Sequence, residues 1–476
     1  MAQAAAELGA VLYAVGGLPR NALMGLPPGD IDITSNIPPA GMHALCAARG
    51  LRCVDVAAAF GAVRVIANGQ SYEHTTFRSD EYDAGGGHRP CGVRFGRTME
   101  EDARRRDFTC NALYYDIARN ILCDPTNRGV ADIRNRLARA TSDDPSIILR
   151  DDSLRILRLV RFASELGFAI EETTWQAARA YVSGLCDISW ERKRDELIKI
   201  LLSDTRYPGA QTGEKGPAAS SVLAGLTRLY ELGALCYILP ALLEGAHVPQ
   251  RPQYHKYDVM RHNFHACAAA RPTLALRLAA LLHDVGKPAA LKEKGLSLTD
   301  GGHDSAPVLL PRGMTPMLRH DTLGAQIAKE ALRRLRFENA VVDDAVYLIA
   351  HHMYDLSFSA KESTLRVRFA TMGRKYAYML CDIREADIRG SGYAPDFVAS
   401  GWRGVLRRME REGAPFSMEE VRCTGNDIMQ WLNLPQGKAV GEVKLAMLRH
   451  CARHPADNRP ERLQKLARGM LHDCGA

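Results

Sequence analysis

The sequence predicts an α+β fold, in which a small head of about five strands with helices is followed by a long helical region. Strand and hairpin signals are concentrated in the first 135 residues, where short apolar runs are bounded by glycine, proline and asparagine. From residue 136 onward, apolar residues recur at helical spacing almost to the end of the chain. At 476 residues the chain is long enough for two to four domains with buried cores.

The composition is that of a globular protein in water. Apolar residues make up 46% and charged residues 25%, and the formal net charge of +7 permits a polyanionic partner without requiring one. The 12 cysteines show no CxxC pattern, which favours reduced thiols over a disulfide framework or a zinc site. The sequence contains neither a signal-peptide pattern nor an apolar stretch of membrane-spanning length, so we expect a cytoplasmic protein with no membrane partner.

The first informative segment of the head combines a phosphate cradle with a metal ledge. A buried strand at residues 11–15 is followed by paired glycines ending at Gly17, and then by Arg20 near a helix start. Backbone N–H groups and a guanidinium in this arrangement are suited to phosphate oxygens. Asp30 and Asp32 project from one side of the next extended segment and suit Mg²⁺. Two acids alone are a weak signal, but a cradle followed by this ledge is the layout that phosphoryl or nucleotidyl transfer needs.

A β-hairpin is predicted next. Residues 62–67 and 72–77 flank an Asn-Gly pair, which is a strong hairpin signal. Glu73 lies on the second strand, where it could supply a third carboxylate for the metal or could face solvent. Residues 79–96 contain three consecutive glycines among polar residues, and we predict a mobile loop there.

Two arginine-rich segments follow. Arg106 is the last of three consecutive arginines and precedes Asp107, although a solvated charge run is the default interpretation of such a cluster. Further along, arginines recur every three residues after an acid, which predicts a shared helix face opposite apolar residues. The members of this face are Asp152, Arg155, Arg158 and Arg161.

Together these segments resemble the class II CCA-adding tRNA nucleotidyltransferase and bacterial poly(A) polymerase family, in the polymerase-β-like superfamily. The resemblance rests on the motifs VGGLPR, DIDIT, TTFR, RRDFTCNAL and DDSLRILRLVRF in this order. It continues through ERKRDEL, which is similar to the family's neck motif, and through GND and PQGK near the C-terminus. Two departures stand out: Asn21 follows Arg20 where the family commonly has Asp, and Asp151 replaces the Glu of Glu-Asp-x-x-Arg.

The resemblance implies a domain order. It consists of a nucleotidyltransferase head at 1–135, a base-recognising helical neck at 136–206, the start of a helical body at 207–250, an HD-like helical domain at 251–395 and a tRNA-contacting helical tail at 396–476. The implied reaction adds C, C and A to the tRNA 3′-end from CTP and ATP without a nucleic-acid template, with Mg²⁺ assistance and release of pyrophosphate. The tRNA would be bound at its 3′-end and acceptor region. Poly(A) polymerase and partial CC- or A-adding activity are alternatives within the family, and a non-catalytic RNA-binding protein is the alternative outside it.

The resemblance also assigns roles to individual residues. Catalysis and Mg²⁺ binding fall to Asp30 and Asp32, and nucleotide binding falls to Gly17, Arg20, Arg106, Asp107, Asp152, Arg155, Arg158 and Arg161. Asp152 would accept a hydrogen bond from the exocyclic amine of cytosine or adenine, and Arg155 would donate to the adjacent ring nitrogen. Guanine and uracil present a carbonyl where that amine should be, so both groups would lose their partners.

A second constellation lies in the predicted helical body. An apolar helix ends in adjacent His and Asp, with further ligand types before and after it, which resembles the HD phosphohydrolase signature. The predicted ligands are His262, His283, Asp284, His320, His351, His352 and Asp387. Imidazole and carboxylate together suit Mn²⁺, Ni²⁺ or Fe. The implied activity is hydrolysis of a phosphomonoester or a 2′,3′-cyclic phosphodiester, but such a domain can also persist as an inactive scaffold, and an irregular insertion at 301–316 falls between the ligands.

Overall fold

A computed structural model describes residues 2–7, 9–81, 92–96, 98–208, 220–293, 319–355, 358–393 and 399–473. The insertion predicted at 301–316 lies outside the described residues. So do residues 209–219, in the predicted start of the helical body, and residues 82–91 of the loop predicted at 79–96. The chain divides into two compact units, residues 1–240 with 334–336, and residues 241–333 with 337–476. None of the described helices is long and apolar enough to cross a membrane.

The first unit begins with a mixed β-sheet. Its strands and those of a separate hairpin are β1 (Tyr13–Val15), β2 (Asp32–Ser35), β3 (Arg52–Ala57), β4 (Ala62–Ala67), β5 (Gln70–Thr76), β6 (Arg78–Glu81), β7 (Gly92–Phe95), β8 (Tyr114–Asp116) and β9 (Ile121–Cys123). Within the described residues the sheet has seven strands in the order β3-β4-β5-β2-β1-β8-β9, and β6 pairs with β7. The sheet has two strands more than the five expected from the sequence. Strands of three residues, such as β8 and β9, are too short to show an alternating pattern in the sequence, which explains the difference.

The predicted hairpin is confirmed. Strands β4 and β5 pair antiparallel, and their turn is formed by Asn68 and Gly69 with φ of 50° and 75°. Asparagine and glycine tolerate this left-handed conformation, which matches the twist of the flanking strands. Strand β5 also pairs with β2, in parallel, and this pairing sets Glu73 beside Asp32. Because neighbouring residues in register point to the same face, the two carboxylates share one side of the sheet.

Helices cover the sheet and continue the first unit. They are α1 (Ala2–Glu7), α2 (Gly17–Met24), α3 (Pro39–Ala48), α4 (Met99–Arg104), α5 (Gly129–Arg134), α6 (Pro145–Asp151), α7 (Leu154–Glu165), α8 (Glu172–Ala180), α9 (Trp190–Leu201), α10 (Ser203–Arg206), α11 (Ser221–Glu231) and α12 (Leu235–Ile238). A short parallel pair, β10 (Leu137–Ala138) and β11 (Ala169–Ile170), lies among them. Met42 and Leu45 of α3 pack with Val63 and Val65 of β4 in a buried core on one side of the sheet.

The arginine-rich helix differs from the prediction at its start. Asp152 was expected to share a helix face with Arg155, but it is extended, with φ of −140° and ψ of 97°, and it separates α6 from α7. Its Oδ1 accepts a hydrogen bond from the backbone N–H of Leu154 at 3.1 Å. A short acidic side chain that bonds to nearby backbone competes with helix continuation, and this is the reason for the break.

The described part of the second unit is helical. Its helices are α13 (Val259–Ala269), α14 (Leu274–Leu282), α15 (Lys287–Glu293), α16 (His320–Arg334), α17 (Asn339–His351), α18 (Glu362–Met372), α19 (Arg374–Gly390), α20 (Ser400–Arg411), α21 (Gly425–Leu432), α22 (Lys438–Arg453) and α23 (Pro460–Asp473). The apolar helix α14 packs against α13, α17 and α19. His283 follows α14 directly, so the burial of this helix also fixes the position of the residues at its end.

The close approach of the segment after α14 to α16 generates a stability prediction. A Cβ atom on Gly286 would lie 2.1 Å from the carbonyl oxygen of His320 and 2.5 Å from the backbone nitrogen of Gly324. Gly286→Ala should therefore lower the free energy of unfolding of the second unit by at least about 2 kcal/mol, because backbone atoms would have to move apart. Chemical denaturation followed by helical circular dichroism measures this change.

Gly441→Ala is the matched control. Gly441 is exposed on α22 and its Cβ would meet no atom within 4 Å, so helix propensity should leave stability unchanged or slightly raised. Equal denaturation midpoints for Gly286→Ala and wild type would contradict the close packing.

Candidate active site

The glycines predicted to form a phosphate cradle lie at the start of α2. Gly16 precedes α2 with a φ of 75°, and a Cβ there would lie 4.0 Å from both Arg106 Nη1 and Asp32 Oδ2. Arg106 is held in this place by Asp102, whose buried carboxylate accepts two of its hydrogen bonds at 3.1 and 2.9 Å. The absence of a side chain at Gly16 therefore leaves room between a guanidinium and a carboxylate, as a polyphosphate with a bound cation requires.

Arg20 lies on α2 and is buried, with 3% of its surface exposed. Its Nε and Nη2 donate to Asn21 Oδ1 at 3.1 and 2.9 Å, and its Nη1 donates to Asn111 Oδ1. Both partners are neutral amides, so they fix the guanidinium without cancelling its charge. Arg20 can therefore present a full positive charge to phosphate.

The predicted metal ledge lies at the start of β2. Asp32 is the first residue of the strand and Asp30 precedes it, and both side chains are exposed. Desolvation raises the pKa of Asp32, the negative charges of Glu73 and Asp30 raise it further, and Arg106 opposes them. A cluster of carboxylates that destabilise one another's charges fits a hard divalent cation, which would supply the missing positive charge.

Asp107 connects the turn after α4 to helix α7. Its Oδ2 accepts from Arg158 Nε at 2.8 Å, and its Oδ1 accepts from the backbone N–H of Phe108 at 2.8 Å. Burial alone would raise the pKa of Asp107, but Arg158 and, at longer range, Arg155 lower it to about 2. Asp107 is therefore an ionised carboxylate at neutral pH.

These residues surround one cavity of about 190 Å³ in the first unit. It brings together all of the predicted catalytic and nucleotide-binding residues except Asp152 and Arg155. Sequence reasoning missed six other lining residues, namely Asn21, Gly29, Asn111, Phe162, Arg206 and Tyr207. Asn21 and Asn111 lie inside the matched motifs and could have been chosen from them, whereas nothing in the local sequence distinguishes Arg206 and Tyr207.

Phe162 forms an aromatic wall for the arginines of this cavity. The guanidinium carbons of Arg20, Arg158 and Arg161 lie 5.5, 5.4 and 4.1 Å from its ring centroid. Arg161 also pairs with Glu196 of α9 at 2.7 Å. Cation–π contact and ion pairing together hold several like charges close to one another, which gives a site for a strongly anionic ligand.

The predicted base-reading pair lies apart from this cavity. Asp152 Oδ2 accepts from Arg192 Nη2 at 3.0 Å. Arg155 donates to the carbonyl oxygens of Ile148 and Arg105 at 3.1 and 2.8 Å, and it lines a second cavity of about 280 Å³. A carboxylate has about four lone-pair positions and a guanidinium five donors, so both groups retain hydrogen-bonding capacity for a base. Their role stays a prediction.

The second unit contains a buried cluster centred on Asp284. Its Oδ2 lies 3.5 and 3.4 Å from the Nε2 atoms of His262 and His283. Its Oδ1 lies 3.4 and 3.7 Å from the Nε2 atoms of His320 and His352. Two groups thus have ligand atoms within 4.8 Å of one another, and Asp284 belongs to both.

Asp387 completes the first of these groups and His351 joins neither. Asp387 Oδ1 lies 3.2 Å from His262 Nε2 and 3.5 Å from His283 Nε2. His351 instead makes a hydrogen bond through Nδ1 to the carbonyl oxygen of Tyr347, and its imidazole stacks on the Tyr347 ring. Burial by itself lowers the pKa of His283, but Asp284 and Asp387 raise it to about 10. In the same cluster burial has the largest effect on His352 and lowers its pKa. Asp284 and Asp387 place negative charge beside the imidazoles, an arrangement that suits a cation.

Three family models match the chain. They are a poly(A) polymerase head domain at residues 12–139, a probable RNA and SrmB-binding site of polymerase A at 167–212, and an HD domain at 265–374. An A-adding tRNA nucleotidyltransferase from Deinococcus radiodurans is 31% identical over 447 residues, covering 91% of this chain and 89% of the relative. A CCA-adding enzyme from Geobacillus stearothermophilus is 30% identical over 451 residues, covering 95% and 91%.

Solved structures agree with these matches. The crystal structure of the Bacillus stearothermophilus CCA-adding enzyme in complex with CTP has a TM-score of 0.70 and 26% identity, covering 100% of this chain and 97% of that one. A Thermotoga maritima CCA-adding enzyme complexed with tRNA shares the fold, with a TM-score of 0.53 and 18% identity. These comparisons confirm the predicted α+β fold and the family resemblance. The chain is a nucleotidyltransferase that belongs to the class II tRNA nucleotidyltransferase family of A-adding and CCA-adding enzymes, with an HD domain.

Proposed function

We propose that the first unit adds C, C and A to the 3′-end of tRNA from CTP and ATP and releases pyrophosphate. The observation that carries this proposal is the single cavity that combines Asp30 and Asp32 with Arg20, Arg106 and Arg158. Carboxylates for a divalent cation and guanidinium groups for a triphosphate are the two components of nucleotidyl transfer. The tRNA 3′-end would enter this cavity, while helical parts of the chain contact its backbone. A cytoplasmic location stays a prediction.

The residues of the cavity divide the work by charge. Asp30 and Asp32, with Glu73 as a third candidate, would hold Mg²⁺, which when bound helps the 3′-hydroxyl of tRNA to attack the α-phosphorus and stabilises the departing pyrophosphate. The backbone at Gly17 and the guanidinium groups of Arg20 and Arg106 would bind the triphosphate. Asp107 and Arg158 would orient the ribose and base.

Base selection would fall to Asp152 and Arg155. A carboxylate that accepts from the exocyclic amine and a guanidinium that donates to the ring nitrogen both suit cytosine and adenine. Guanine and uracil would leave both groups unpaired, which can discriminate by roughly 10⁴-fold. This selection does not require a nucleic-acid template.

The extent of addition is the finer part of the proposal. One relative is named as an A-adding enzyme and another as a CCA-adding enzyme, at 31% and 30% identity, so similarity does not separate the two activities. Sequencing the 3′-ends of a tRNA lacking CCA, after incubation with CTP, ATP or both, tests the proposal. Full CCA ends with both nucleotides support it. A single A added only to tRNA that already ends in CC would identify an A-adding enzyme, and long A tails would identify a poly(A) polymerase.

The metal ledge gives the first catalytic prediction. Asp30→Ala and Asp32→Ala should each lower kcat for CTP and for ATP by at least about a thousandfold, because each carboxylate holds charge that the transition state needs. Binding of tRNA should survive, since RNA affinity comes largely from basic residues. Incorporation of radiolabelled nucleotide and a filter-binding assay measure the two properties. Asp143→Ala is the matched control, because its side chain is 91% exposed. Near-wild-type incorporation by either ledge variant would refute the assignment.

The base-reading pair gives the second. Asp152→Ala should admit UTP or GTP and should change base choice more than it changes nucleotide affinity, because the lost group reads the base edge. Competition assays with all four nucleotides, followed by sequencing of the products, measure this. A variant that loses activity while keeping its selectivity would show that Asp152, which also accepts hydrogen bonds from the backbone N–H of Leu154 and from Arg192, is structural.

We also propose a hydrolytic metal centre in the second unit, carried by the position of Asp284 between two pairs of imidazoles. His262, His283 and Asp387 would hold one transition metal and His320 and His352 a second, with Asp284 shared between them. Bound Mn²⁺, Ni²⁺ or Fe would polarise a phosphoryl oxygen and activate water. The substrate class is a phosphomonoester or a 2′,3′-cyclic phosphodiester.

Separability tests this second function. His283→Ala and Asp284→Ala should remove the bound metal, measured by elemental analysis, and Mn²⁺- or Ni²⁺-dependent hydrolysis of 2′,3′-cyclic AMP and p-nitrophenyl phosphate. Addition of CCA should persist, because Asp30 and Asp32 belong to the other unit. His351→Ala is the control, since His351 lies outside both ligand groups, and loss of metal there would restore His351 as a ligand. Wild-type protein that contains no transition metal and gains no hydrolysis on its addition would show an inactive scaffold.

A further inference from the structure

One wall of the nucleotide cavity comes from the segment that follows α10 in the first unit. Tyr207 follows α10 directly and is buried, with 4% of its surface exposed. Its hydroxyl lies close to the loop that carries Asp30, since a Cβ on Gly29 would be 4.0 Å from it. Tyr207 belongs to none of the motifs that predicted the site, yet it lines the same cavity as Arg20.

The hydroxyl of Tyr207 contacts the amide that holds Arg20. Asn21 Nδ2 donates to Tyr207 Oη at 3.0 Å and to the carbonyl oxygen of Pro27 at 2.9 Å. Asn21 Oδ1 accepts both hydrogen bonds from Arg20. A primary amide offers two donors and two acceptor positions, so every hydrogen-bonding position of Asn21 is used. The amide cannot turn without losing bonds at both ends.

The direction of this amide decides where the charge of Arg20 points. If the Asn21 amide rotated by half a turn, its NH₂ group would face the guanidinium, and two donors would oppose each other. The carbonyl oxygen of Pro27 can only accept and so opposes this rotation, and Tyr207 Oη supplies the second acceptor that the NH₂ group uses in the observed orientation. On the far side, Asn111 Oδ1 accepts from Arg20 Nη1, so the guanidinium is held from two directions.

We infer that Tyr207 is a positioning residue for the triphosphate, which acts by fixing Arg20 through Asn21. This inference rests on the proposed nucleotidyl transfer and adds to it a residue from outside the matched motifs. Arg20 would bind phosphate and not base, so the contribution of Tyr207 is the same for CTP and for ATP. It concerns nucleotide binding and not the binding of tRNA.

Tyr207→Phe tests the inference, because it removes the hydroxyl and keeps the buried ring. The KM for CTP and the KM for ATP should both rise by roughly two- to tenfold, as expected for loss of one hydrogen bond in the chain that holds Arg20. The two increases should be equal, and kcat, the KM for tRNA and the thermal unfolding midpoint should stay close to wild type. Tyr181→Phe, in the same unit and away from the cavity lining, should change none of these values.

A double-mutant cycle separates positioning from a general structural role. In an Arg20→Lys background Asn21 Oδ1 no longer accepts the two guanidinium hydrogen bonds. Adding Tyr207→Phe to this background should therefore raise the KM for CTP no further. Asn21→Ala removes the amide that joins Tyr207 to Arg20. It should raise the KM for CTP and the KM for ATP equally, as Tyr207→Phe does. It also keeps the inference testable if Tyr207→Phe folds poorly.

The outcomes distinguish this inference from the proposed function. Unchanged KM values in Tyr207→Phe with a raised KM in Arg20→Lys would overturn the inference alone. Fully additive effects in the cycle, or an increase confined to one nucleotide, would also overturn it. If Arg20→Lys left the KM for both nucleotides unchanged, the phosphate-binding role of Arg20 would be wrong, and this inference with it.

Discussion

The ion pair between the buried carboxylate of Asp107 and the partly exposed guanidinium of Arg158 is the interaction on which the cavity of the first unit depends. It joins the turn that follows Arg106 to helix α7, and Asn111, which also holds Arg20, donates to the same carboxylate at 3.3 Å. Loss of Arg158 would leave the buried carboxylate of Asp107 without its main counter-charge, which is destabilising. Because the pKa of Asp107 is depressed to about 2, the stability from this pair is present above the unfolded value of about 3.9 and is lost only as pH falls towards 2. The cavity is therefore braced throughout the neutral range.

From Asp107 a continuous set of hydrogen bonds crosses the cavity through Asn111, Arg20 and Asn21 to Tyr207. Arg20 lies between two amides, Asn111 and Asn21, which orient its guanidinium without neutralising it. A carboxylate in either amide position would bind Arg20 more strongly but would compete with phosphate for its charge. An amide at position 21 can also donate to the carbonyl oxygen of Pro27, which a carboxylate cannot do.

The cluster in the second unit contains two buried carboxylates. Asp284 and Asp387 are buried among imidazoles, and their pKa values lie well below the ordinary value, since burial, which would raise them, is outweighed by the hydrogen bonds and charges of neighbouring groups that include His283. Lys287 also pairs with Asp284 and donates to Gln250 at 2.6 Å. The two units therefore hold two different groupings of side chains, arginines with carboxylates in the first and imidazoles with carboxylates in the second.

The sequence by itself determined the fold class, the hairpin at Asn68 and Gly69, the glycines and Arg20 at the start of α2 and the side-chain types of the Asp284 cluster, because each depends on local periodicity, turn chemistry or a short motif. It could not determine where the helix at residues 150–162 breaks, since that depends on a hydrogen bond from the backbone N–H of Leu154 to the side chain of Asp152. Only the tertiary structure decided that His351 stands outside the cluster while its neighbour His352 stands inside, because adjacent residues at a helix end point in different directions. Only it brought Tyr207 to Asn21 across 186 positions of sequence, a contact that no local pattern encodes because it arises when distant segments pack together.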